Sequence, residues 1–370
     1  FGVIVMVFAL TMLVPLAVAL SMNDGTAELW GGPLLAAFAA GGVLWWAGQR
    51  VVGREPDLQP RDGMLLVTLA WTVLPAIATV PLLLFYHRHG GSLTFTQAYF
   101  ETVSAMTTTG ATVLVGLDAL PPSINLWRGL LQWLGGMGIL VLAVAILPML
   151  GAGGQLLRAE STGPMKDTRL TPRIEETAKG LWSVYAGISL ACVLAYRWGG
   201  MSWLDAWIHM FTTMSLGGMS SHDASFAYFE SPRLEWIATV FMLVASGSFA
   251  LYFAALVKRS PARIWRDAEW RGTWLLMLGS MLLIAWLLVQ RGIVPQWSEA
   301  LRLAAFNVVS AASTTGYATT DYLQWPVFAP IWMLLLSGVA TSAGSTGAGI
   351  KMVRLLILLK LVRRELARII

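Results

Sequence analysis

Eight long apolar segments are the feature that most limits how this chain can fold. A helix that crosses the hydrocarbon core of a bilayer needs about 20 mostly apolar residues. Hydrophobic residues make up 56% of the sequence and charged residues only 12%, whereas soluble domains carry about 25% charged residues. We therefore predict an all-α polytopic membrane protein. The predicted spans are 2–21, 29–48, 63–86, 125–150, 178–197, 234–257, 273–290 and 328–350.

Basic residues cluster in alternate connections between these spans. The clusters lie in 50–62, 151–179, 258–271 and the run that begins at Lys351. Short loops rich in Lys and Arg stay on the cytoplasmic side of a membrane, so these connections are predicted to be cytoplasmic and the others to face outward. This topology signal accounts for the net charge of +5, and we expect no nucleic-acid partner. Anionic membrane lipid is the simplest partner for the C-terminal basic run, and a cytosolic protein is the alternative.

Three outward connections each contain a short amphipathic segment followed by a polar stretch with glycine. The segments have 12 to 14 residues, which is too short to cross a bilayer. Polar backbone at membrane depth is tolerated only where it is buried in protein or lines a cavity. We therefore predict a re-entrant pore helix and an extended loop in each connection. The pairs are 95–106 with TTTGATVLVG, 203–214 with MSLGGMSSHD, and 299–312 with STTGYATTDY.

These three connections align with one another when Gly110, Gly218 and Gly316 are superimposed. An alanine lies twelve residues before each glycine, and hydroxyl residues lie six and three residues before it. The matching residues are Ala98, Ala206 and Ala304; Ser104, Thr212 and Ser310; and Thr107, Ser215 and Ser313. Matches in the same order in three outward loops predict an internal repeat. We divide the chain into a two-helix N-terminal addition, 1–50, and repeats at 63–150, 177–257 and 272–370.

Glycine and hydroxyl residues suit a site for a monovalent cation. Glycine allows backbone angles closed to other residues, and rings of backbone carbonyls replace a cation's hydration shell in selectivity filters. A divalent cation site would use carboxylates, and none lies within two residues of the three glycines. The alternative interpretation is that these small residues only let helices pack closely.

The same stretches resemble a known family. TTTGATVLVGLD, SLGGMSSHDAS and STTGYATTDY are similar to the pore loops of the Trk/Ktr/HKT potassium transporters. QWLGGMGILVLAVAILPMLG (132–151) and GPMKDTRLTPRI (163–174) resemble the membrane subunits of bacterial Trk systems. The resemblance implies potassium uptake across the bacterial inner membrane, with the pore loops facing the periplasm. It also implies four helix–pore–helix units in one chain, so we expect that a fourth follows and that this sequence is C-terminally truncated.

The resemblance also assigns residues to a selectivity filter and a gate. The filter would be lined, mainly by carbonyls, by Thr108, Thr109 and Gly110, by Leu216, Gly217 and Gly218, and by Thr314, Thr315 and Gly316. The gate would be a Gly-rich intramembrane loop that contains Gly338, Gly344, Ser345, Thr346, Gly347 and Gly349. Several glycines would break a helix there. The alternatives are a flexible helix end and a phosphate-binding loop, although the stretch lacks the P-loop spacing.

The family implies a homodimer regulated by a cytosolic nucleotide-binding ring. We expect no cofactor, with potassium as the transported ion, and no enzymatic activity. A coupled K⁺/H⁺ or Na⁺ symporter is the alternative function, although such carriers favour inverted repeats and these repeats share one orientation. A membrane enzyme is a further alternative, but we find no nucleophile–base or zinc motif among the four histidines.

Two further sets of polar residues have two interpretations each. Glu101, His209 and Asn307 all lie nine residues before a repeat glycine. They either brace the pore helices by hydrogen bonds or act on the ion directly. Acidic residues that follow each glycine either attract cations or cap loops. These residues are Asp118, Asp223 and Asp321.

Overall fold

Helices account for nearly all the regular structure in the computed structural model, which describes residues 1–52, 60–141 and 174–369. In chain order they are α1 Gly2–Thr11, α2 Leu13–Met22, α3 Ala27–Val52, α4 Pro60–Arg88, α5 Phe95–Met106, α6 Pro122–Val141, α7 Ile174–Gly199, α8 Trp203–Met214, α9 Pro232–Ala245, α10 Phe249–Val257, α11 Ala262–Arg266, α12 Ala268–Gln290, α13 Trp297–Ala312, α14 Phe328–Val339 and α15 Met352–Ile369. No strand occurs in the described ranges, which confirms the all-α prediction there.

Most of the predicted spans correspond to long apolar helices. Within the described residues, five helical stretches are long and apolar enough to cross a membrane, and a sixth is formed if the bent pair α9 and α10 is one span. The five stretches are Gly2–Met22, Ala27–Arg50, Arg61–Arg88, Ala178–Gly199 and Ala268–Gln290. The span predicted at 125–150 is described only as far as Val141 in α6, and much of the basic connection 151–179 lies outside the described residues.

Two predicted spans are interrupted. The span predicted at 234–257 bends by 82° between α9 and α10, because the chain leaves the helix at Ser246 and starts a new one after Ser248, whose hydroxyl accepts from the Leu251 amide. The span predicted at 328–350 stops at Val339, and non-helical backbone continues to Lys351. Sequence length and hydropathy alone did not show the first break.

The short helices α5, α8 and α13 lie where re-entrant helices are predicted. The first two have the predicted bounds, and α13 begins two residues early, at Trp297. Side-chain caps start the first two, since the Thr94 hydroxyl accepts from the Gln97 amide and the Ser202 hydroxyl accepts from the Asp205 amide. Such caps satisfy the free amides at a helix N-terminus. Each helix ends in the polar stretch that the sequence singled out.

Candidate ion pathway formed by three re-entrant loops

The three polar stretches adopt the same backbone conformation. Thr108, Leu216 and Thr314 have φ values of 55°, 54° and 64°, and the glycines two residues later have φ values of 78°, 69° and 85°. A non-glycine residue in this left-handed region is uncommon and costs roughly 1–3 kcal/mol. The surrounding structure imposes this conformation three times, at the same place in each loop.

Equivalent hydrogen bonds hold each turn. In the first loop the amides of Thr109 and Gly110 donate to the Ser104 carbonyl at 2.9 and 3.4 Å. The corresponding amides of the second loop donate to Thr212 at 3.0 and 3.2 Å, and those of the third donate to Ser310 at 2.9 and 3.3 Å. One carbonyl near the end of each helix therefore accepts from two amides of the loop that follows, which fixes the loop to its helix.

Neighbouring loops are in direct contact at the repeat glycines. A Cβ atom at Gly110 would lie 1.9 Å from the Gly217 carbonyl oxygen, and one at Gly218 would lie 1.7 Å from the Thr315 carbonyl oxygen. Only glycine permits so close an approach. For Gly316 no described atom lies within 4 Å of that position. The structure thus brings the nine predicted filter residues into one cluster, in the order first, second and third loop.

The residues nine positions before each glycine brace the loops. Glu101 accepts hydrogen bonds from the Thr112 hydroxyl at 2.9 Å and the Val113 amide at 3.0 Å. His209 Nε2 pairs with the Ser220 hydroxyl at 2.9 Å, and Asn307 Nδ2 donates to the Thr319 hydroxyl at 2.9 Å. Each side chain is buried on its helix and reaches the chain that leaves its own loop. These contacts are those expected from the bracing interpretation.

The acidic residues after the loops cap backbone amides. Asp223 accepts from the Gly116 and Leu117 amides of the preceding repeat at 3.1 and 3.0 Å. Asp118 accepts from the Asp223 amide at 3.1 Å, and Asp321 accepts from the Leu323 amide at 3.1 Å. These contacts match the loop-capping interpretation. The three contacts that involve Asp223 also link the connections after the first and second loops.

His222 contacts two of the acidic residues near these loops. Its Nδ1 lies 2.5 Å from an Asp118 oxygen and its Nε2 lies 3.3 Å from an Asp205 oxygen. Burial opposes the charged imidazole, but the hydrogen bonds to Asp205 and Asp118 outweigh it and raise the pKa of His222. The hydrogen bond from His222 lowers the pKa of Asp118. The His222–Asp118 contact therefore links the connections after the first two loops, and the raised pKa of His222 favours the charged form of this clasp.

Three polar side chains on one face of α6 were not predicted to be functional from the sequence. Asn125, Arg128 and Gln132 are buried on one face of that helix and all reach the loops. Gln132 Nε2 donates to the Gly217 carbonyl at 2.9 Å, and Asn125 Nδ2 donates to the Leu117 carbonyl at 2.8 Å. The available signal was spacing: polar residues at i, i+3 and i+7 share one helix face, and intramembrane polar residues deserve a functional hypothesis.

The predicted gate loop lies against the cluster of filter residues. Thr346 donates to the carbonyl of Met214, the last residue of α8, at 3.1 Å, and the Ala348 amide donates to the Thr314 hydroxyl at 3.0 Å. A Cβ atom at Gly347 would lie 3.1 Å from the Ser313 carbonyl oxygen and 3.2 Å from Leu216 Cδ1. The loop therefore touches both the second and third re-entrant segments.

The two interrupted spans satisfy each other's free backbone groups. The Ser342 amide donates to the Ser246 carbonyl at 2.9 Å, and the Phe249 amide donates to the Gly344 carbonyl at 3.1 Å. Such pairing makes broken helices tolerable inside a membrane protein.

The remaining predicted gate residues shape the rest of the loop. Ser345 donates to the Ser342 carbonyl at 2.7 Å. The Ile350 amide donates to the Gly338 carbonyl at 2.6 Å, and a Cβ atom at Gly349 would lie 2.7 Å from that same oxygen. The loop therefore folds back on the end of α14.

The long apolar helices and the three converging loops after short helices are typical of a polytopic membrane transport protein. Residues 33–369 match the family described as TrkH, cation transport protein. The chain therefore belongs to the TrkH family of cation transport proteins.

Individual relatives agree with this assignment. The Trk system potassium uptake protein TrkH of Salmonella typhimurium (strain LT2) is 43% identical over 373 residues, which cover 100% of this chain and 75% of that protein. The Trk system potassium uptake protein TrkG of Escherichia coli (strain K12) is 34% identical over 366 residues, which cover 99% of this chain and 74% of that protein. The crystal structure of the potassium transporter TrkH from Vibrio parahaemolyticus has a TM-score of 0.88 and 39% identity, and the match covers 100% of this chain and 75% of that one.

Proposed function

We propose that the chain takes up potassium across the bacterial inner membrane through a channel-like pore. The observation that carries the proposal is the contact of three identically folded loops at Gly110, Gly217 and Gly218. The filter consists of residues 108–110, 216–218 and 314–316, and their backbone carbonyls bind the ion. Neutral oxygens hold a monovalent ion weakly enough to release it, as conduction requires.

The pore helices add a favourable field. Helices α5, α8 and α13 end immediately before the three filter segments. The C-terminal end of a helix carries a partial negative charge from its free carbonyls. Three such ends beside one cluster favour a cation there without a carboxylate.

The loop Ala340–Lys351 is the gate in this proposal. It contacts the C-terminal end of α8 through Thr346 and the third filter segment through Ala348. The Lys351 ammonium group also contacts the Gly347 carbonyl. In this proposal the loop, held beside the filter segments by these contacts, moves to let the ion pass.

The family relationship supports a wider arrangement for the working transporter. We place the re-entrant loops on the periplasmic side, since the basic residues at 258–271 and after Lys351 lie in alternate connections and mark the cytoplasmic side. The names of the relatives refer to a Trk system, and the proposed assembly is a homodimer that binds a cytosolic nucleotide-binding ring. Anionic lipid contacts the basic face of α15.

Selectivity measurements test the filter. The full-length protein, reconstituted in liposomes, is expected to favour potassium over sodium, and Gly316→Ser is expected to weaken that preference, because φ at Gly316 is 85° and a side chain there is strained. An unchanged permeability ratio in Gly316→Ser would count against the filter. Strict stoichiometric movement of protons with potassium would show a coupled symporter instead.

A further inference from the structure

A buried ion pair lies directly behind the first two loops. Arg128 of α6 and Glu101 of α5 are 2.8 Å apart, and their side chains are only 2% and 0% exposed. Removing two charges from water costs several kcal/mol per ion, so a buried pair is weak evidence for a stabilising role. The position of this pair calls for another explanation.

The guanidinium group of Arg128 bridges two loops at the same register. Its Nη2 donates to the Thr112 hydroxyl at 3.2 Å, and its Nη1 donates to the Ser220 carbonyl at 3.1 Å. These two residues each lie two positions after their repeat glycine, in the first and second loops. One rigid, planar group therefore spans the chains that leave two neighbouring loops.

The rest of the network fixes the guanidinium group itself. Glu101 accepts from Nε and also holds the Thr112 hydroxyl and the Val113 amide, while Asn125 accepts from Nη1 at 3.1 Å. Gln132, one turn further along α6, holds the Gly217 carbonyl and accepts from the Met219 amide at 3.3 Å. Gln132 of α6 therefore hydrogen-bonds to the second loop on both sides of Gly218.

We propose that Arg128, oriented by Glu101, is a positioning residue that sets the spacing between the first and second loops and thereby the preference for potassium. This proposal rests on the proposed filter. The Gly110–Gly217 contact lies between the same two loops, and its closeness requires them to be held together. Between the second and third loops, neutral hydroxyl groups take the place of the ion pair as the link, since Tyr317 Oη contacts the Thr212 and Thr213 hydroxyls.

Arg128→Lys is the main test. Lysine keeps the charge next to Glu101, but a single ammonium group cannot reproduce the fork that reaches Thr112 and Ser220 together. We expect the potassium-to-sodium permeability ratio of the reconstituted full-length protein to fall several-fold, with a higher KM for potassium and a thermal midpoint near that of the wild type.

Arg302→Lys is the matched control. Arg302 also forms a partly buried pair, with Glu235 and Glu299, and within the described residues its guanidinium group contacts no filter loop. Its substitution is expected to leave the permeability ratio unchanged. A ratio that falls equally in both variants would show a general effect of weakening a buried pair and would overturn the proposal.

Thr112→Val keeps the proposal testable if Arg128→Lys does not fold. It removes the side-chain link between the pair and the first loop, keeps the Val113 amide contact and leaves both charges in place, and we expect the ratio to fall. Gly316→Ser, measured alongside, separates the two proposals. A lower ratio in Gly316→Ser with wild-type ratios in Arg128→Lys and Thr112→Val would overturn the role of Arg128 alone. Unchanged ratios in all three would overturn the filter itself.

Discussion

Gly110→Ala tests the loop contact most sharply. The added Cβ atom would lie 1.9 Å from the Gly217 carbonyl oxygen, whereas real contacts of this kind are not shorter than 3.0 Å. The first and second loops must therefore separate by at least 1.1 Å, the difference between these two values. The left-handed backbone adds roughly 1–3 kcal/mol of strain for a non-glycine residue.

The expected result is a loss of selectivity rather than a loss of the fold. If the separation removes the ion's contact with one neutral oxygen, the loss is comparable to one net hydrogen bond, about 1 kcal/mol. The permeability ratio for potassium over sodium should then fall by a factor of about 5, since about 1.4 kcal/mol is tenfold. Reversal potentials of the reconstituted full-length protein under mixed ion gradients measure this ratio.

Gly116→Ala is the control for backbone strain. Gly116 has φ of 73°, close to the 78° of Gly110, but no described atom lies within 4 Å of a Cβ atom there. We expect a small loss of stability and a wild-type ratio. The reasoning is refuted if Gly110→Ala keeps the wild-type ratio, or if Gly116→Ala lowers the ratio to the same extent.

Three further predictions concern the gate and the outer clasp. Shortening the loop between Gly344 and Gly349 should raise potassium flux in liposomes, and unchanged flux would contradict a gating role. Glu269→Ala should also raise potassium flux at an unchanged ion ratio. The Glu269 carboxylate accepts from the Ala343 and Val353 amides at 2.6 and 3.2 Å and so holds the gate loop, and leaving buried amides unpaired costs roughly 1–3 kcal/mol. Wild-type flux in this variant would contradict the role of Glu269 in holding the loop. Because the pKa of His222 is raised, its contact with Asp118 stabilises the protein fully below the ordinary pKa of about 6.5, and this stabilisation is lost as the pH rises through the raised value. The thermal midpoint of the wild type minus that of His222→Gln should therefore decrease across that range. A difference that stays constant with pH would contradict a charged contact.

The sequence predicted the elements that depend on local pattern. The re-entrant helices 95–106 and 203–214 have the predicted bounds, because a dozen amphipathic residues followed by a Gly-containing polar stretch have few other structures available in a membrane. Alignment on the three glycines located one of the two left-handed positions in each loop, but the other, two residues earlier, was not predicted. The residues around 340–350 were also predicted to leave the helix, because glycine is a poor helix former.

Long-range contacts were beyond the reach of the sequence. The bend of 82° between α9 and α10 is stabilised by the distant loop residues Ser342 and Gly344. The Ser-Gly-Ser stretch at 246–248 was a local signal for a kink, but it does not show which residues stabilise the bend. Arg128 was hidden in a predicted span, because its partners Glu101 and Ser220 are 27 and 92 residues away in sequence. Its functional interpretation depends on which loops it joins, and only the structure shows that.

The central claim, that three loops form one cation site, is tested most directly by locating the ion. Crystals of the full-length protein grown with rubidium in place of potassium would show bound ions by anomalous scattering. We predict the strongest peak among residues 108–110, 216–218 and 314–316, within contact distance of backbone oxygens from all three loops. A strongest peak at the carboxylates of Asp118, Asp223 or Asp321, with none among the three loops, would contradict the claim.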